Sequence, residues 1–306
     1  MSVKHSLIVP CYNEEGNVEN FLRETKEAMK NYTDSYEIIF VNDGSRDSTP
    51  KKLREIFSLN KDVNIKVINF SRNFGKEAAM YAGFTQASGE YITIIDADLQ
   101  QDPKYVVEMA EILDSDPDCD MVAAYQAERK EGRLISLCKS KFYKVITKMS
   151  GIDFVSDASD FRTMRKCVAD TIVALPEYHR FSKGIFSWVG YNTVSIPYEV
   201  RERESGETKW NLKKLIAYAF EGIMAYTDKP LKLPFYMSAF LLILCVIWLL
   251  AEYVIASTVC FVGSLLMLSM GILGSYLGKV HTQVKERPIF IAKEILTYEL
   301  DQETSN

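Results

Sequence analysis

The stretch Tyr91-Ile92-Thr93-Ile94-Ile95-Asp96-Ala97-Asp98-Leu99-Gln100 joins an apolar run directly to two carboxylates. Its first five residues are mostly β-branched or aromatic, which predicts a buried parallel strand. Side chains at i and i+2 point the same way along a strand, so Asp96 and Asp98 can address one point in space. Carboxylate oxygens, together with the amide of Gln100, suit Mg²⁺ or Mn²⁺, and such an ion keeps positions open for a substrate's phosphates. The stretch therefore predicts a strand that ends in a divalent metal site.

The residues before this strand alternate between two periodicities. Short apolar runs predict strands at Ser6–Pro10, Glu37–Asn42 and Ile65–Phe70. Apolar residues at helical spacing predict helices at Asn17–Asn31, Thr49–Leu59 and Gly75–Ala87, and after the Asp96 segment a further helix from Pro103 to about Leu113 and a strand at Met121–Tyr125. Strands that alternate with helices indicate an α/β fold with a parallel sheet covered on both faces.

Polar residues follow each of the first four predicted strands. The ligands of such sheets bind beyond the carboxyl ends of the strands. One polar turn is an ordinary connection, but several at the same edge predict a binding site. The segments are Pro10–Glu15, Asn42–Ser45, Ser71–Lys76 and Asp96–Asp98.

Composition excludes several classes of protein. A net charge of −5 over 306 residues gives no sign of nucleic-acid binding. The six cysteines lie far apart with no Cys-x-x-Cys spacing, so neither a zinc site nor a disulfide framework is expected. We therefore expect reduced cysteines and a cytoplasmic soluble part. The first residues lead directly into a strand, so no signal peptide is expected.

The strand-end segments resemble those of the family 2 glycosyltransferases with the Rossmann-like GT-A fold. Within that family the chain is most similar to the polyprenyl-phosphate glycosyltransferases, the group of dolichyl-phosphate mannose synthase and the bactoprenol glucosyltransferases. Two positions depart from the family pattern: Ser159 replaces a usual glycine, and Thr208 replaces a usual serine. The segments that carry the resemblance are Val41–Thr49, Ser71–Ala79, Asp96–Gln100, Asp160–Arg162, Pro176–Glu177, Arg180–Phe181, Gly206–Trp210 and Lys229–Leu231.

The resemblance implies roles for several residues of these segments. Asp43 would hold the uracil or ribose of a nucleotide sugar, and Asp96, Asp98 and Gln100 would hold the metal and the diphosphate. The candidate catalytic residues are Asp96, Asp98 and Asp160. Asp160 would orient the acceptor or hold an arginine, in preference to moving a proton. The full set of implied donor-binding residues is Pro10, Tyr12, Asn13, Glu14, Asp43, Arg72, Lys76, Asp96, Ala97 and Asp98.

Basic residues interleave with apolar ones over about 133–149, which predicts an amphipathic helix on an anionic membrane surface. The charged segment Arg201–Lys209 contains a glycine; the resemblance implies a loop that closes over bound donor, and the alternative is an ordinary surface loop. His179 is assigned no role. The residues implied to contact an acceptor phosphate are Arg129, Arg133, Ser136, Arg162, Arg203 and Lys209.

The composition changes after residue 211, the expected end of the catalytic domain. Residues 212–232 predict a second interfacial helix, and two apolar stretches within 233–279 predict a hairpin of transmembrane helices. Lysine and arginine flank the hairpin on one side only, which predicts that both termini and the catalytic domain are cytoplasmic. Residues 280–306 would form a cytoplasmic tail with a strand-like piece at Ile289–Ile291.

The resemblance thus implies a membrane enzyme that transfers a hexose, most simply glucose from UDP-glucose, to undecaprenyl phosphate with inversion, for modification of cell-envelope glycans. A homotetramer is favoured by the same resemblance. Alternatives are another donor such as UDP-N-acetylglucosamine or GDP-mannose, a non-lipid acceptor, or a non-catalytic membrane scaffold. The Gln-x-x-Arg-Trp signature of processive synthases is absent, which disfavours polymer synthesis.

Overall fold

The computed structural model describes residues 3–30, 32–33, 35–127, 158–201 and 255–298. Several predicted features lie outside these residues: the basic helix, most of the charged loop, the second interfacial helix and the first apolar stretch. The same is true of five of the residues implied to contact the acceptor phosphate, namely Arg129, Arg133, Ser136, Arg203 and Lys209. Their roles stay predictions.

Strands and helices alternate through the first part of the chain, as predicted. The strands are β1 (His5–Cys11), β2 (Tyr36–Asn42), β3 (Asn64–Phe70) and β4 (Tyr91–Ile94). The helices that follow them are α1 (Val18–Met29), α2 (Thr49–Leu59), α3 (Lys76–Gln86) and α4 (Lys104–Ser115). The later elements are β5 (Met121–Gln126), β6 (Ala158–Arg165), α5 (Lys166–Ala174), α6 (Ser182–Trp188), β7 (Thr193–Tyr198), α7 (Ile255–Val284) and β8 (Ala292–Leu296).

These strands form one sheet in the order β7-β5-β6-β4-β1-β2-β3-β8. Strand β1 pairs in parallel with β2 and β4, as predicted, but β6 runs antiparallel between β4 and β5, and β8 runs antiparallel to β3. The strands predicted for the parallel sheet, β1 to β5, do run parallel to one another; the two antiparallel strands are β6, which was not predicted, and β8, for which no direction was predicted. The direction of a strand depends on the path of the connection before it, and local periodicity carries no information about that path.

Helices cover both faces of the sheet. On one face, Phe21 of α1 and Val106 of α4 pack with Leu7 and Val9 of β1. On the other face, Met80 of α3 and Val168 of α5 pack with Ile8 of the same strand. Side chains on a strand point alternately to the two faces, so the middle of a strand that is buried on both sides is apolar at successive positions. This accounts for the unbroken apolar runs of β1 and β2.

Helix α7 differs from the other helices in its exposure. Its segment Phe261–Val284 is 24 residues long with a mean hydropathy of 1.6, enough by length and composition to cross a membrane. Large apolar side chains along it are exposed, among them Leu266, Met267, Leu273 and Leu277. The helix ends at Val284, five residues beyond 279, where the transmembrane hairpin was predicted to end. Because the first stretch lies outside the described residues, the two-helix hairpin stays a prediction.

The carboxyl end of α7 is tied to the catalytic domain. The Gln283 side chain donates to the Pro176 carbonyl at 2.7 Å and accepts from the Tyr178 backbone N–H at 2.9 Å. Beyond the helix, Phe290 stacks on Phe70 with 4.9 Å between the ring centroids. The strand begins three residues later than the predicted piece at Ile289–Ile291, because Ile289 and Phe290 pack against the core before β8 joins the sheet.

Candidate active site

Asp96 and Asp98 follow β4, as predicted. Both are partly exposed, whereas Ile95, Ala97 and Leu99 are buried at 2 % exposure or less. Leu99 has a positive φ of 58°, so the chain turns sharply immediately after the second carboxylate. The strand end thus presents two carboxylates at the surface and inserts the three apolar residues into the core.

Gln101, the residue after the predicted metal ligand Gln100, forms hydrogen bonds with Asp96. The Gln101 Oε1 accepts from the Asp96 backbone N–H at 2.9 Å, and its Nε2 lies 3.4 Å from Asp96 Oδ2. The backbone of Gln100 donates to Asp98 Oδ1 at 3.2 Å and accepts from the Arg201 N–H at 3.2 Å. The metal contact of the Gln100 amide stays a prediction.

Lys76 forms ion pairs with two of the candidate catalytic residues, Asp96 and Asp160. Its Nζ lies 2.7 Å from Asp96 Oδ1 and 3.1 Å from Asp160 Oδ2. Burial favours the neutral carboxyl, but the charges of Lys76, Lys183 and Arg162 outweigh it and lower the pKa of Asp160 to about 2. Asp160 is therefore a carboxylate throughout the physiological pH range, and a weak base.

Arg162 lies inside the domain rather than at an acceptor surface. It is 3 % exposed, its guanidinium carbon sits 3.7 Å from the centre of the Phe186 ring, and it donates to the Ser159 carbonyl at 2.8 Å. Burial lowers its pKa to about 10, although the charge of Asp160 opposes that shift. The charge of Arg162, after those of Lys76 and Lys183, helps to keep Asp160 ionised. The contact of Arg162 with an acceptor phosphate stays a prediction.

Ser159, which replaces the family's glycine, is accommodated within the strand pair. Its hydroxyl donates to the Ala124 carbonyl at 3.1 Å and accepts from the Phe161 N–H at 3.0 Å. The extra side chain therefore bridges β5 and β6 just before Asp160. The backbone beside the catalytic candidate is held by these hydrogen bonds.

The carboxylate of Asp43 is hydrogen-bonded to the backbone of the segment that precedes Lys76. Its carboxylate accepts from the backbone N–H groups of Phe74 at 2.6 Å and Gly75 at 3.0 Å, and the residue is 3 % exposed. Burial raises the pKa of Asp43 even though these two donors act in the opposite direction. The structure thus gives Asp43 a positioning role, and its predicted contact with uracil or ribose stays a prediction.

The loops after β1 and β2 are bonded to each other. Asn13 donates its N–H to Ser45 Oγ at 3.0 Å and accepts the Arg46 N–H on its side chain at 2.9 Å. Glu14 donates its N–H to Thr49 Oγ1 at 2.9 Å. Two of the four predicted strand-end segments therefore form one surface, beside Pro10 and Tyr12.

Glu77 was not singled out from the sequence. Its carboxyl accepts from both the N–H and the hydroxyl of Ser182, which joins the first turn of α3 to the start of α6. Burial, with a smaller contribution from the charge of Asp160, raises the pKa of Glu77 to about 7. A single glutamate within a helix gives no sequence signal of this kind, because its partner lies 105 residues away.

A cavity of about 290 Å³ opens next to Lys76. Its floor is the first turn of α3, one wall is the segment before α6, and the opposite wall comes from the end of α7 and the residues after it. Arg180 lies in the wall formed by the segment before α6. It donates to the carbonyls of Ile172 and Leu175, so its guanidinium caps the carboxyl end of α5. The cavity is lined by Phe74, Gly75, Lys76, Glu77, Ala78, Tyr178, His179, Arg180, Phe181, Lys279 and Ile289.

Among the described residues, no three His, Cys, Asp or Glu side chains come close enough to hold a metal by themselves. The two carboxylates of Asp96 and Asp98 nevertheless fit a divalent ion that takes its other ligands from phosphate oxygens and water. Such an ion is normally bound through one or two protein carboxylates, so the donor set is suited to a metal that arrives with a diphosphate.

Arg72, the remaining implied donor-binding residue, lies on the exposed edge of this site. Its guanidinium carbon is 4.1 Å from the centre of the Phe74 ring, and it donates to the Asn73 carbonyl at 3.2 Å. The structure therefore brings together Asp43, Arg72, Lys76, Asp96, Asp98 and Asp160 at one edge of the sheet. Their binding roles stay predictions.

Known proteins resemble the chain along nearly its whole length. An uncharacterized glycosyltransferase of Synechocystis is 34 % identical over 96 % of this chain and 96 % of its own. A prophage bactoprenol glucosyl transferase homolog of Escherichia coli (strain K12) is 33 % identical over 96 % of this chain and 99 % of its own. At this identity and coverage, the relatives share one family with the chain.

The fold agrees with this relationship. The crystal structure of glucosyl-3-phosphoglycerate synthase from Mycobacterium tuberculosis superposes with a TM-score of 0.51 at 18 % identity, covering 72 % of this chain and 76 % of that one. The likeness supports the GT-A fold expected from the sequence. The family model of "Glycosyl transferase family 2" matches residues 6–172, which is more than half of the chain. The chain therefore belongs to glycosyl transferase family 2, and it is a glycosyltransferase.

Proposed function

We propose that this glycosyltransferase moves a hexose, glucose from UDP-glucose, onto undecaprenyl phosphate at the cytoplasmic face of the membrane, with inversion and with Mg²⁺ or Mn²⁺. The observation that carries the proposal is the contact between α7 and the site. The helix is apolar enough to cross a membrane, and its carboxyl end forms one wall of the cavity beside Lys76. An acceptor anchored in the bilayer would reach the site along this wall.

The relatives support the same acceptor. The Escherichia coli protein is named as a prophage bactoprenol glucosyl transferase homolog and aligns with 96 % of this chain. The domain limits of 1–211, 212–232, 233–279 and 280–306, the cytoplasmic placement of both termini and a homotetrameric assembly belong to this proposal. Five residues of the tail, Ala292–Leu296, form strand β8 of the sheet.

The chemistry proposed for the site needs no strong base. The acceptor phosphate is already anionic near neutral pH, so its oxygen can form the bond to the anomeric carbon while the bond to the departing diphosphate breaks. Asp160, whose pKa is lowered to about 2 chiefly by Lys76 against the effect of burial, is suited to orienting cations and the acceptor. Proton transfer by Asp160 would have little driving force.

The second requirement of the reaction is stabilisation of the negative charge that develops on the departing diphosphate. A divalent ion held by Asp96 and Asp98 would stabilise that charge as it forms. Lys76 supplies a further cation next to Asp96. Asp43 and the loop between β3 and α3 hold Lys76 in place, and the joined loops after β1 and β2 would receive the nucleotide.

The test is a panel assay with the purified full-length protein in detergent. Undecaprenyl phosphate is incubated with UDP-glucose, UDP-N-acetylglucosamine or GDP-mannose and Mn²⁺ or Mg²⁺, and the glycolipid is detected by mass. We expect one glucosyl lipid that disappears with EDTA. Glycolipid from another donor would correct the sugar, and nucleotide release only with a soluble sugar would move the acceptor out of the membrane.

Asp98→Asn is the variant that tests the metal assignment in the same assay. We expect loss of at least about a hundredfold in transfer, because the developing charge would lose its metal ligand. Asp118→Asn is the matched control, since Asp118 precedes β5 and lies at the opposite edge of the sheet. Full activity of Asp98→Asn with excess Mn²⁺ would contradict the assignment.

A further inference from the structure

Lys76 lies where three distant parts of the chain meet. It is the first residue of α3, Asp96 follows β4, and Asp160 belongs to β6. The ammonium is 2.7 Å from one carboxylate and 3.1 Å from the other, so it is in ion-pair contact with both. The side chain of Lys76 is 40 % exposed, and those of Asp96 and Asp160 are 33 % and 20 % exposed. One cation thus sits between two carboxylates at a site open to solvent.

Both oxygens of Asp96 already face nitrogen atoms in this arrangement. Oδ1 pairs with Lys76, and Oδ2 lies 3.4 Å from the Nε2 of Gln101. Asp96 is one of the two carboxylates proposed to hold the divalent ion. A metal that approaches Asp96 meets a like charge within contact distance of its own ligand, which opposes its binding.

We propose that Lys76 acts as a built-in counter-ion of the metal site: it holds Asp96 while no donor is bound and moves to the donor's diphosphate when the nucleotide and the metal enter. This inference rests on the proposed metal dependence and on a donor that carries a diphosphate. It adds a reason why metal and nucleotide should bind together rather than separately.

The chemistry of lysine suits both positions. An ammonium is a compact charge on a flexible four-carbon stem, and it binds carboxylates and phosphates as a point charge without a fixed fork geometry. The backbone that carries Lys76 is held independently, because Asp43 accepts the N–H groups of Phe74 and Gly75. The ammonium can therefore change partners while the start of α3 stays in place.

A consequence is positive coupling between metal and nucleotide. Without nucleotide, Lys76 competes with Mn²⁺ for Asp96, and metal affinity is low. With nucleotide, the diphosphate offers new partners to both cations, and metal affinity rises. Coupling between two ligands is reciprocal, so Mn²⁺ raises the affinity for the nucleotide by the same factor.

The experiment measures Mn²⁺ binding to the full-length protein in detergent, with free Mn²⁺ read by electron paramagnetic resonance. Lys76→Met removes the charge and keeps most of the stem. We expect its nucleotide-free affinity for Mn²⁺ to rise about tenfold over that of the unmodified protein, and the enhancement by UDP or GDP to shrink by a similar factor. Neither reading depends on transfer or on the lipid.

Two further variants separate this effect from general ones. Lys104→Met removes an ammonium 3.6 Å from Asp102 in the same loop region, and its side chain is 63 % exposed, so Mn²⁺ affinity should stay within about twofold. Lys76→Arg keeps the positive charge and should keep the weak nucleotide-free affinity of the unmodified protein. Lys76→Arg also tests the inference if Lys76→Met fails to fold. Tight Mn²⁺ binding by a folded Lys76→Arg protein without nucleotide would argue against the counter-ion.

The inference is overturned if folded Lys76→Met binds nucleotide-free Mn²⁺ no more tightly than the unmodified protein, including the case where neither binds it at millimolar metal. It is also overturned if neither UDP nor GDP raises the Mn²⁺ affinity of the unmodified protein. Failure of the proposed lipid transfer shows up separately, in the glycolipid assay, and leaves these isotherms intact.

Discussion

The carboxylate of Asp43 holds the backbone N–H of Gly75 at 3.0 Å, and the next residue in the chain is Lys76. A residue at the end of β2 thereby determines where α3 begins. Gly44, which follows Asp43, comes equally close to the same loop: a Cβ placed on it would lie 2.3 Å from the backbone carbon of Arg72. The position of Lys76 thus depends on the tight packing of two strand ends.

Gly44→Ala should therefore impair the site. We expect donor turnover to fall at least about tenfold, because the loop that carries Lys76 must shift by more than an ångström. Gly190→Ala is the matched control, since Gly190 has a similar positive φ of 73° but open space around its Cβ position. Both variants carry backbone strain, so equal turnover in the two would contradict the packing explanation.

Glu77→Gln should alter the dependence of stability on pH. The folded-state pKa of Glu77 is raised to about 7, by burial first and the charge of Asp160 second, so its contribution to stability is present below about 4.5 and is lost as the pH rises through 7. The amide cannot ionise. We expect Glu77→Gln to gain about 1 to 3 kcal/mol relative to the unmodified protein between pH 5 and pH 8.

The measurement is thermal unfolding of both proteins at pH 5, 6, 7 and 8. A constant difference across this range would show that Glu77 does not titrate in it. Ser182→Ala is a useful companion variant, because it removes the hydroxyl donor and keeps the N–H donor to the same carboxyl.

Arg201→Met should loosen the turn that follows the carboxylates. The Arg201 guanidinium pairs with Asp102 and with Glu24, and its backbone N–H donates to Gln100. We expect the KM for the donor to rise about three- to tenfold with a smaller change in kcat. The carboxylates remain in the variant, but the turn that positions them is less firmly held. Steady-state kinetics check this, with Lys104→Met as the control. An equal effect of both variants would point to general charge loss.

Glu294→Ala should weaken the edge of the sheet at β8. Glu294 accepts from the Asn69 side chain at 2.8 Å and pairs with Arg54 at 2.9 Å. Removing it leaves the Asn69 amide, on a residue 4 % exposed, without this acceptor, at a cost of about 1 to 2 kcal/mol. Denaturant unfolding measures the loss, and the exposed Lys293→Ala should change stability by less than about 0.5 kcal/mol. Equal losses would exclude a specific role for Glu294.

The sequence alone predicted those parts of the molecule that depend on neighbours in the chain. The βαβ order, the start and end of α2 at Thr49 and Leu59, and the alternation of exposed Asp96 and Asp98 with buried neighbours follow from periodicities of two and 3.6 residues. The convergence of four polar segments on one edge follows from the rule that parallel strands end together. The resemblance added the family, which the comparisons confirmed.

Tertiary structure decided what depends on strand order and direction. The antiparallel insertion of β6 brings Asp160 to Lys76, and the packing of α6 on α3 gives Glu77 its partner Ser182. It also buried Arg162 and turned Gln101 toward Asp96. These contacts join residues far apart in the chain, and their charges and pKa values depend on burial that no local pattern encodes. The candidate site residues could therefore be selected from the sequence, whereas the contacts between them are determined by the tertiary fold.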